Sequence, residues 1–117
     1  MHILVAEDNP DNQVLINILL KKIGHTLDIA SDGEETLSLA LSRQYDLILM
    51  DLHMPKLNGF ETTIAIREQS SSKIPIIALS ADAVHDSIEK CKTVGMDDYL
   101  EKPIQKKMLE ELLNKYS

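Results

Sequence analysis

Five polar residues in this sequence carry side chains that could do chemistry together, and each lies at the end of a short apolar run. They are three acids, one hydroxyl and one ammonium: Glu7, Asp8, Asp51, Ser80 and Lys102. Three carboxylates in one site repel one another, and their pKa values rise unless a cation compensates. Oxygen ligands with few other donors suit Mg²⁺, which also takes phosphate oxygens as ligands. The residue types therefore indicate a magnesium site at which a phosphoryl group is transferred.

The same set of residues can carry out covalent chemistry on a phosphoryl group. A carboxylate can act as the nucleophile, and attack by Asp51 would give an aspartyl phosphate. A bound metal ion and the Lys102 ammonium would offset the charge that builds up during transfer. The Ser80 hydroxyl would hold a phosphoryl oxygen. Each residue alone is more often a helix cap or a solvated charge, but capping does not explain five such residues at the ends of four strands.

The elements that must position these residues alternate regularly along the chain. Short apolar runs rich in β-branched residues predict buried strands. They are Ile3–Ala6, Leu27–Ala30, Leu47–Met50, Ile76–Leu79 and Tyr99–Leu100. Stretches with helical spacing lie between and after them: Pro10–Ile23, Gly33–Ser42, Gly59–Gln69, Ala83–Val94 and Gln105–Tyr116. The pair Asn9-Pro10 opens the first helix, and Gly24 and Gly95 follow two helices as C-caps.

Five successive β-then-α units predict a single flavodoxin-like α/β domain over residues 1–117. We expect a doubly wound, five-stranded parallel sheet of order 2-1-3-4-5 with helices on both faces. The carboxyl ends of parallel strands lie on one rim, and the ligand crevice opens where strands 1 and 3 diverge. The five polar residues follow strands 1, 3, 4 and 5, so this topology brings them to the crevice.

The amino-acid composition limits the classes of binding partner and the cellular compartments that we expect for this protein. A net charge of −7 argues against nonspecific binding to nucleic acid or to an anionic membrane, because both require a basic surface. The single cysteine, Cys91, excludes an intramolecular disulfide. No apolar stretch reaches the ~20 residues needed to span a bilayer, and the first residues lack the pattern of a signal peptide. We expect a cytoplasmic protein with no direct membrane contact and no nucleic-acid partner.

Four ordered motifs resemble those of the two-component response-regulator receiver family, and together they span the whole chain. They are Val5–Asn9, Met50–Pro55 with Gly59, Ala78–Ala81, and Asp98–Pro103. The resemblance implies that Asp51 is the phosphoacceptor and that Asp8 binds Mg²⁺ directly. It also implies that Glu7 acts on the metal through water and that the backbone carbonyl of His53 is a further ligand.

The resemblance further implies a conformational switch. Ser80 and Lys102 contact the phosphoryl group, and the Lys102–Pro103 bond is cis. Tyr99 corresponds to the switch aromatic of the family, which turns inward as Ser80 moves toward the phosphate. This movement remodels the surface of helix 4, strand 5 and helix 5. Glu7 stands where aspartate is common and Ser80 where threonine is common, and both keep the required chemistry.

Within the family, two motifs most resemble the receivers of hybrid sensor histidine kinases. They are the Glu-Asp-Asn-Pro opening that starts at Glu7 and the Met-Pro-x-x-Asn-Gly loop that starts at Met54. The implied phosphoryl donor is a histidine kinase or a histidine phosphotransfer domain. The chain is then either free-standing or part of a longer hybrid kinase.

The first predicted helix offers a docking surface for such a donor. At ~100° per residue, one arc of this helix faces the sheet. We assign to that arc Leu15, Ile16, Leu19, Leu20 and Ile23. Val14 and Ile18 fall outside it, one turn apart and close to Asp8 in sequence. We expect this pair to form the apolar centre of a helix-to-helix contact.

Two other interpretations of the site fit less well. An aspartyl-nucleophile, Mg²⁺-dependent phosphatase of the haloacid dehalogenase type needs a second acid two residues after the nucleophile, where this chain has His53. A flavodoxin needs a glycine- and hydroxyl-rich loop after strand 1 to bind the FMN phosphate, where this chain has Glu7–Asp11.

A receiver catalyses its own phosphorylation and slow dephosphorylation, so we interpret the chain as a signalling module rather than an enzyme. The lifetime of the phosphoryl group depends on how water reaches it. Asp82 lies two residues beyond Ser80, where the family places side chains near this water. A carboxylate there can orient the attacking water, or it can repel the phosphate and block the water, and the sequence does not decide between the two. Of these we expect the first, and so faster hydrolysis.

Overall fold

The computed structural model describes residues 1–81 and 88–117, in which strands and helices alternate as predicted. The strands are β1 His2–Ala6, β2 Thr26–Ala30, β3 Leu47–Asp51, β4 Ile76–Ser80 and β5 Asp98–Glu101. The helices are α1 Pro10–Ile23, α2 Gly33–Ser42, α3 Gly59–Gln69, α4 Ile88–Val94 and α5 Lys106–Lys115. Each strand is one or two residues longer than predicted. None of the described helices has the length and apolar character needed to cross a membrane.

Two predictions fall on residues that the structure does not describe. The fourth helix was predicted from Ala83, and its first five predicted residues lie outside the described part of the chain. Asp82, assigned a role in hydrolysis, also lies outside it. The described part of this helix, from Ile88 to Val94, agrees with the prediction.

The five strands form one parallel sheet in the order β2-β1-β3-β4-β5, which confirms the predicted flavodoxin-like topology. β1 pairs with two neighbours, so Ile3 lies opposite Leu27 of β2 and opposite Leu47 of β3. On the other side of β3, Asp51 lies opposite Leu79 of β4. This register brings the carboxyl ends of β1 and β3 side by side.

Side chains alternate between the two faces of the sheet, so the strands contribute to two apolar layers. On one face Ile3 packs in a cluster with Ile16 of α1 and Leu109 of α5. On the other face Leu4 packs in a cluster that includes Ile66 of α3. β3 and β4 are buried along their whole length, as expected for central strands of a parallel sheet. The two layers hold the strand ends in a fixed order.

The exposed side of α1 differs from the prediction by one residue. Ile16 and Leu20 are fully buried, whereas Leu15 is 37% exposed. The prediction that Leu15 covers the sheet is therefore wrong. Leu15 lies ~100° around the helix from Ile16, which places it at the edge of the buried arc. Val14 and Ile18 are 59% and 46% exposed and lie outside that arc, as predicted.

The start of α3 lies directly against the end of β3. Asn58 caps the helix, since its side chain accepts a hydrogen bond from the Glu61 N–H while the Glu61 carboxylate accepts one from the Asn58 N–H. A Cβ at Gly59 would lie 2.5 Å from the carbonyl oxygen of Asp51. Only glycine permits this close approach of two backbone segments. The cap and the glycine thereby fix the main chain of Asp51.

Candidate functional site

The carboxyl ends of four strands meet at one rim of the sheet, where all five predicted residues lie. Glu7 and Asp8 follow β1, Asp51 ends β3, Ser80 ends β4 and Lys102 follows β5. Carboxylate oxygens of the three acids lie within 4.8 Å of one another. The convergence of the acids that the topology predicts is therefore observed.

The Lys102 ammonium joins two of these acids. Its Nζ lies 2.8 Å from Glu7 Oε1 and 3.2 Å from Asp51 Oδ2. The main chain of Lys102 is held by its N–H, which donates to the Ser80 carbonyl at 2.7 Å. The peptide bond from Lys102 to Pro103 is cis, as the resemblance implied. β4 and β5 together thus place the ammonium beside the acids.

Glu7 is fully buried, yet its carboxyl group is stabilised in the ionised form. Its N–H donates to the Ala30 carbonyl at 3.0 Å, and its Oε2 accepts a hydrogen bond from the Asn9 N–H at 3.2 Å. Burial acts to raise the pKa of Glu7. Hydrogen bonds from Asp51, Lys102 and the main chain outweigh burial and hold this pKa below its usual value. Glu7 therefore keeps its charge inside the protein.

Asp51 shows the opposite shift. Burial, followed by the neighbouring Glu7 carboxylate, raises the pKa of Asp51 to about 7. The His53 N–H donates to Asp51 Oδ1 at 3.1 Å and acts in the other direction, as does the Lys102 ammonium. Below neutral pH the two carboxyls hold one proton between them, mainly on Asp51. The site is therefore short of positive charge.

The donor atoms of this cluster fit a divalent cation that prefers oxygen. Asp8 is exposed, and its carboxylate makes no hydrogen bond or ion pair with any described residue, so its oxygens are available to a metal. One ammonium, on Lys102, faces three acids. A hard cation such as Mg²⁺ would supply the missing charge and return the pKa of Asp51 toward its usual range. The residues present thus fit the magnesium site that the sequence predicts.

The other predicted residues surround this cluster. Ser80 is fully buried at the end of β4, one residue beyond the Leu79 that lies opposite Asp51. The side chain of His53 is exposed, while its main-chain N–H faces Asp51. Tyr99 is 38% exposed on β5. The predicted hydroxyl therefore lies at the end of the strand that neighbours β3, and the predicted switch aromatic is partly exposed.

One residue that the sequence analysis did not single out also contacts the site. Gln13 Nε2 donates to the Glu7 carbonyl at 2.6 Å and to Ser31 Oγ at 3.2 Å. Gln13 is half-buried and lies ~60° around the helix from Ile16, at the edge of the arc that faces the sheet. A polar side chain at the edge of a buried arc finds hydrogen-bond partners on the neighbouring main chain. The position of this glutamine on the helix was the feature of the sequence from which its hydrogen bonds could have been predicted.

A comparison with protein families decides what kind of domain this is. The family model described as the response regulator receiver domain matches residues 3–114. This chain belongs to the response regulator receiver family. The match includes every residue of the acid cluster together with Ser80 and Lys102, and it does not favour the phosphatase interpretation.

Two curated relatives of this receiver domain are histidine kinases. Hybrid signal transduction histidine kinase I of Dictyostelium discoideum is 48% identical over 120 residues, which cover 96% of this chain and 7% of the relative. Histidine kinase 5 of Arabidopsis thaliana is 33% identical over 141 residues, which cover 97% of this chain and 15% of the relative. The chain thus spans less than a fifth of the length of these relatives.

Solved structures confirm the receiver fold. The receiver domain of a sensor histidine kinase from Pseudomonas aeruginosa PAO1 has a TM-score of 0.92 at 39% identity, covering 98% of this chain and 95% of that one. That structure holds a magnesium ion coordinated in its active site cleft. The chemotaxis protein CheY4 of Vibrio cholerae has a TM-score of 0.92 at 29% identity, covering 99% of this chain and 98% of that one.

Proposed function

We propose that this receiver domain accepts a phosphoryl group from a phosphohistidine donor onto Asp51 in a Mg²⁺-dependent reaction. The observation that carries the proposal is the contact of Lys102 Nζ with the buried carboxyls of Glu7 and Asp51. The Asp8 carboxylate completes this cluster. A buried carboxylate beside an ammonium and a cation-binding acid suits attack on a phosphoryl group, because negative charge builds up on the phosphoryl oxygens.

In the reaction, a carboxylate oxygen of Asp51 attacks phosphorus, and the P–N bond to the donor imidazole breaks. The bonding electron pair leaves with the imidazole nitrogen, which takes up a proton, and Asp51 then carries an acyl phosphate. Attack requires ionised Asp51, so the proton that burial favours must leave first. Lys102 offsets charge on one phosphoryl oxygen, and the Ser80 hydroxyl donates to another.

We assign the Mg²⁺ ligands to Asp8, Asp51 and the backbone carbonyl of His53, with Glu7 acting through a water molecule. Two observations support this assignment: the three carboxylates lie within 4.8 Å of one another, and the pKa of Asp51 is raised. When bound, the metal supplies positive charge to the phosphoryl oxygens. Lys102 keeps the buried carboxylate of Glu7 ionised at the edge of this site.

Phosphorylation is proposed to change the surface formed by α4, β5 and α5. The phosphoryl group adds roughly −1.5 to −2 charge and new acceptor oxygens, toward which the Ser80 hydroxyl moves. Ser80 lies opposite Glu101 of β5, and its carbonyl accepts the hydrogen bond of the Lys102 N–H. A shift of Ser80 is therefore transmitted to β5. Tyr99 on that strand then turns inward from its half-exposed position.

We assign donor docking to the outer side of α1. The α1 patch consists of Val14, Leu15 and Ile18, which are 59%, 37% and 46% exposed. Residues three and four apart are neighbours on a helix, so these three side chains form one aliphatic surface. α1 begins three residues after Glu7, which places the patch beside the acid cluster. An apolar centre with a polar rim suits contact with a helical donor.

The donor in this proposal is a histidine kinase or a histidine phosphotransfer domain. The support is that the relatives described above are histidine kinases in which the matched segment is a small part of the chain. Residues 1–117 act as one receiver domain, either free-standing or within a longer hybrid kinase. We propose a cytoplasmic signalling module without nucleic-acid or membrane contacts, which catalyses only its own phosphorylation and slow dephosphorylation.

Labelling of the full chain by a small phosphodonor tests this function. With acetyl phosphate and Mg²⁺, intact mass measurement should show one added phosphoryl group that is lost in acid and in base. Asp51→Asn should abolish the addition because an amide is a poor nucleophile, and Asp8→Ala should suppress it. Asp46→Asn is the matched control, since Asp46 precedes β3 at the opposite rim and should label normally. Persistent labelling of Asp51→Asn would contradict the proposal.

A further inference from the structure

We propose that Gln13 is a positioning residue of the metal site: its side-chain amide holds the Glu7–Asp8 peptide so that the Asp8 carboxylate faces the other two acids. The inference rests on the proposed function, because it concerns the same Mg²⁺ site. Gln13 contributes no ligand of its own. It acts through the main chain that carries two of the acids.

The amide of Gln13 uses both of its hydrogens. Nε2 donates to the Glu7 carbonyl at 2.6 Å and to Ser31 Oγ at 3.2 Å. The Glu7 carbonyl can only accept, so the NH₂ group and not the amide oxygen must face it. Ser31 is itself held, because its N–H donates to Glu35 Oε1 at 2.9 Å. Gln13 thus joins the segment after β1 to the segment after β2.

Asp8 depends on its main chain for its placement, because no described residue binds its side chain. Its carboxylate has no hydrogen bond or ion pair with any residue in the described ranges, 1–81 and 88–117. The main chain therefore sets the direction of its Cα–Cβ bond, and so the region that its carboxylate can reach. The Glu7 carbonyl and the Asp8 N–H belong to one planar peptide group. A hydrogen bond that fixes this carbonyl also fixes the plane from which Asp8 projects.

Gln13 is itself rigidly placed. It lies in the first turn of α1, and its N–H donates to the Asn9 carbonyl at 3.0 Å. The Asn9 side chain caps this turn by accepting hydrogen bonds from the Asp11 and Asn12 N–H groups. On the other side, the Glu7 N–H is held by the Ala30 carbonyl. The Glu7–Asp8 peptide is therefore fixed between a capped helix and the sheet, and Gln13 supplies the helix side.

Gln13→Met tests the inference, because methionine keeps the length of the side chain and removes both donors. Gln44→Met is the matched control, since Gln44 is exposed between α2 and β3, away from the acids. Mg²⁺ affinity is measured by calorimetry on the full chain. Phosphorylation by acetyl phosphate is measured over a range of Mg²⁺ concentrations. The Mg²⁺ series separates the Mg²⁺ concentration at half-saturation from the maximal rate of phosphorylation.

We expect Gln13→Met to bind Mg²⁺ about tenfold more weakly, the usual effect of removing a residue that orients a ligand. Half-maximal phosphorylation should need about tenfold more Mg²⁺, while the rate at saturating Mg²⁺ stays within about twofold of wild type. Gln44→Met should match wild type in both. Unchanged Mg²⁺ affinity in Gln13→Met would overturn the inference. Absence of Mg²⁺ binding by the wild-type chain would instead overturn the proposed metal site, and the inference with it.

If Gln13→Met does not fold, a measurement on the wild-type protein tests the inference about Gln13. The side-chain amide signals of Gln13 in ¹H–¹⁵N spectra should move on addition of Mg²⁺, because metal binding at Asp8 acts on the peptide that Gln13 holds. The corresponding signals of Gln44 and Gln69 should not move. Gln13 signals that stay fixed while Asp8 responds would overturn the inference.

Discussion

Lys102 Nζ lies 2.8 Å from Glu7 Oε1, closer than its 3.2 Å distance to Asp51 Oδ2. Burial raises the pKa of both carboxyls. At Glu7 the hydrogen bond from Asp51, followed by that from the Lys102 ammonium, outweighs burial, whereas at Asp51 the donors do not. Glu7 therefore keeps its charge. Below about pH 7, Asp51, the proposed nucleophile, holds a proton until a cation binds. Cation binding and proton release thus become one linked event.

Mg²⁺ affinity should depend on pH, with a midpoint near the Asp51 pKa of about 7. Below that pH the cation must displace a proton, so affinity falls by up to about tenfold per pH unit. Above it, affinity levels off. Calorimetry from about pH 6 to 8.5, in two buffers of different ionisation enthalpy, measures both affinity and proton release. An affinity that stays constant over this range, without proton release, would contradict the prediction.

Asp51→Asn should stabilise the metal-free protein at alkaline pH. The pKa of Asp51 is raised in the folded state from 3.8 to about 7, so the folded protein binds this proton more tightly than the unfolded chain does. That stabilisation is fully present below about pH 4 and is lost as the pH rises through about 7. Asparagine carries no charge at any pH, so the variant does not lose stability in this way as the pH rises. We expect the variant to exceed wild type by about 1–3 kcal/mol in free energy of unfolding at about pH 8.

Urea unfolding in the presence of a chelator measures this difference. At about pH 3 the two proteins should have similar stability, because Asp51 is then mostly protonated in both the folded and the unfolded state. Added Mg²⁺ should stabilise wild type more than Asp51→Asn and so reduce the difference. Glu110→Gln, at an exposed position of α5 where no described residue pairs with the carboxylate, should change the free energy of unfolding by less than about 0.5 kcal/mol. A variant no more stable than wild type at alkaline pH would show that Asp51 is not repelled in the metal-free site.

Beryllofluoride, which stands in for the phosphoryl group on Asp51, should change the surface of α4 and β5. Movement of the Ser80 hydroxyl toward the new acceptors shifts β4 relative to β5, because Ser80 lies opposite Glu101. Amide signals of residues 83–94 and of Tyr99 should therefore move in ¹H–¹⁵N spectra. Asp51→Asn under the same conditions is the control and should show no change. Changes confined to the Asp51 pocket would mean that no switch is coupled to the site.

The sequence predicted the sheet order and the acid cluster because both follow from topology. Once Asp51 was placed at the end of a central strand, parallel pairing required that Glu7 lie beside it. Contacts that depend on side-chain reach did not follow in this way. The sequence predicted that Lys102 contacts phosphoryl oxygens. It did not predict the closer contact of Lys102 with Glu7, because that contact depends on how far each side chain extends from its strand.

Helix faces were predicted with less accuracy, for a related reason. Leu15 was assigned to the buried arc of α1 because it is apolar, but its angular position leaves it 37% exposed. Gln13 is half-buried at the edge of that arc, and its polar side chain gave no reason to assign it to the buried residues. Hydrophobicity identified which residues could be buried. The rotation of the helix on the sheet, which decides which residues are buried, is set by packing of the whole layer.

Changing Val14 and Ile18 together to serine should slow phosphotransfer from a protein donor by about tenfold or more, because it removes the apolar centre of the α1 patch. Labelling by acetyl phosphate should stay within about twofold of wild type, since the acid cluster is untouched.

The matched control is the double change of Leu41 and Ile64 to serine. These aliphatic residues are 43% and 41% exposed on α2 and α3, which cover the opposite face of the sheet. A histidine phosphotransfer domain carrying a phosphoryl group serves as the donor, and transfer is followed by quenched-flow sampling. Equal loss with both donors would indicate a folding defect, and full transfer to the Val14 and Ile18 variant would place the docking surface elsewhere.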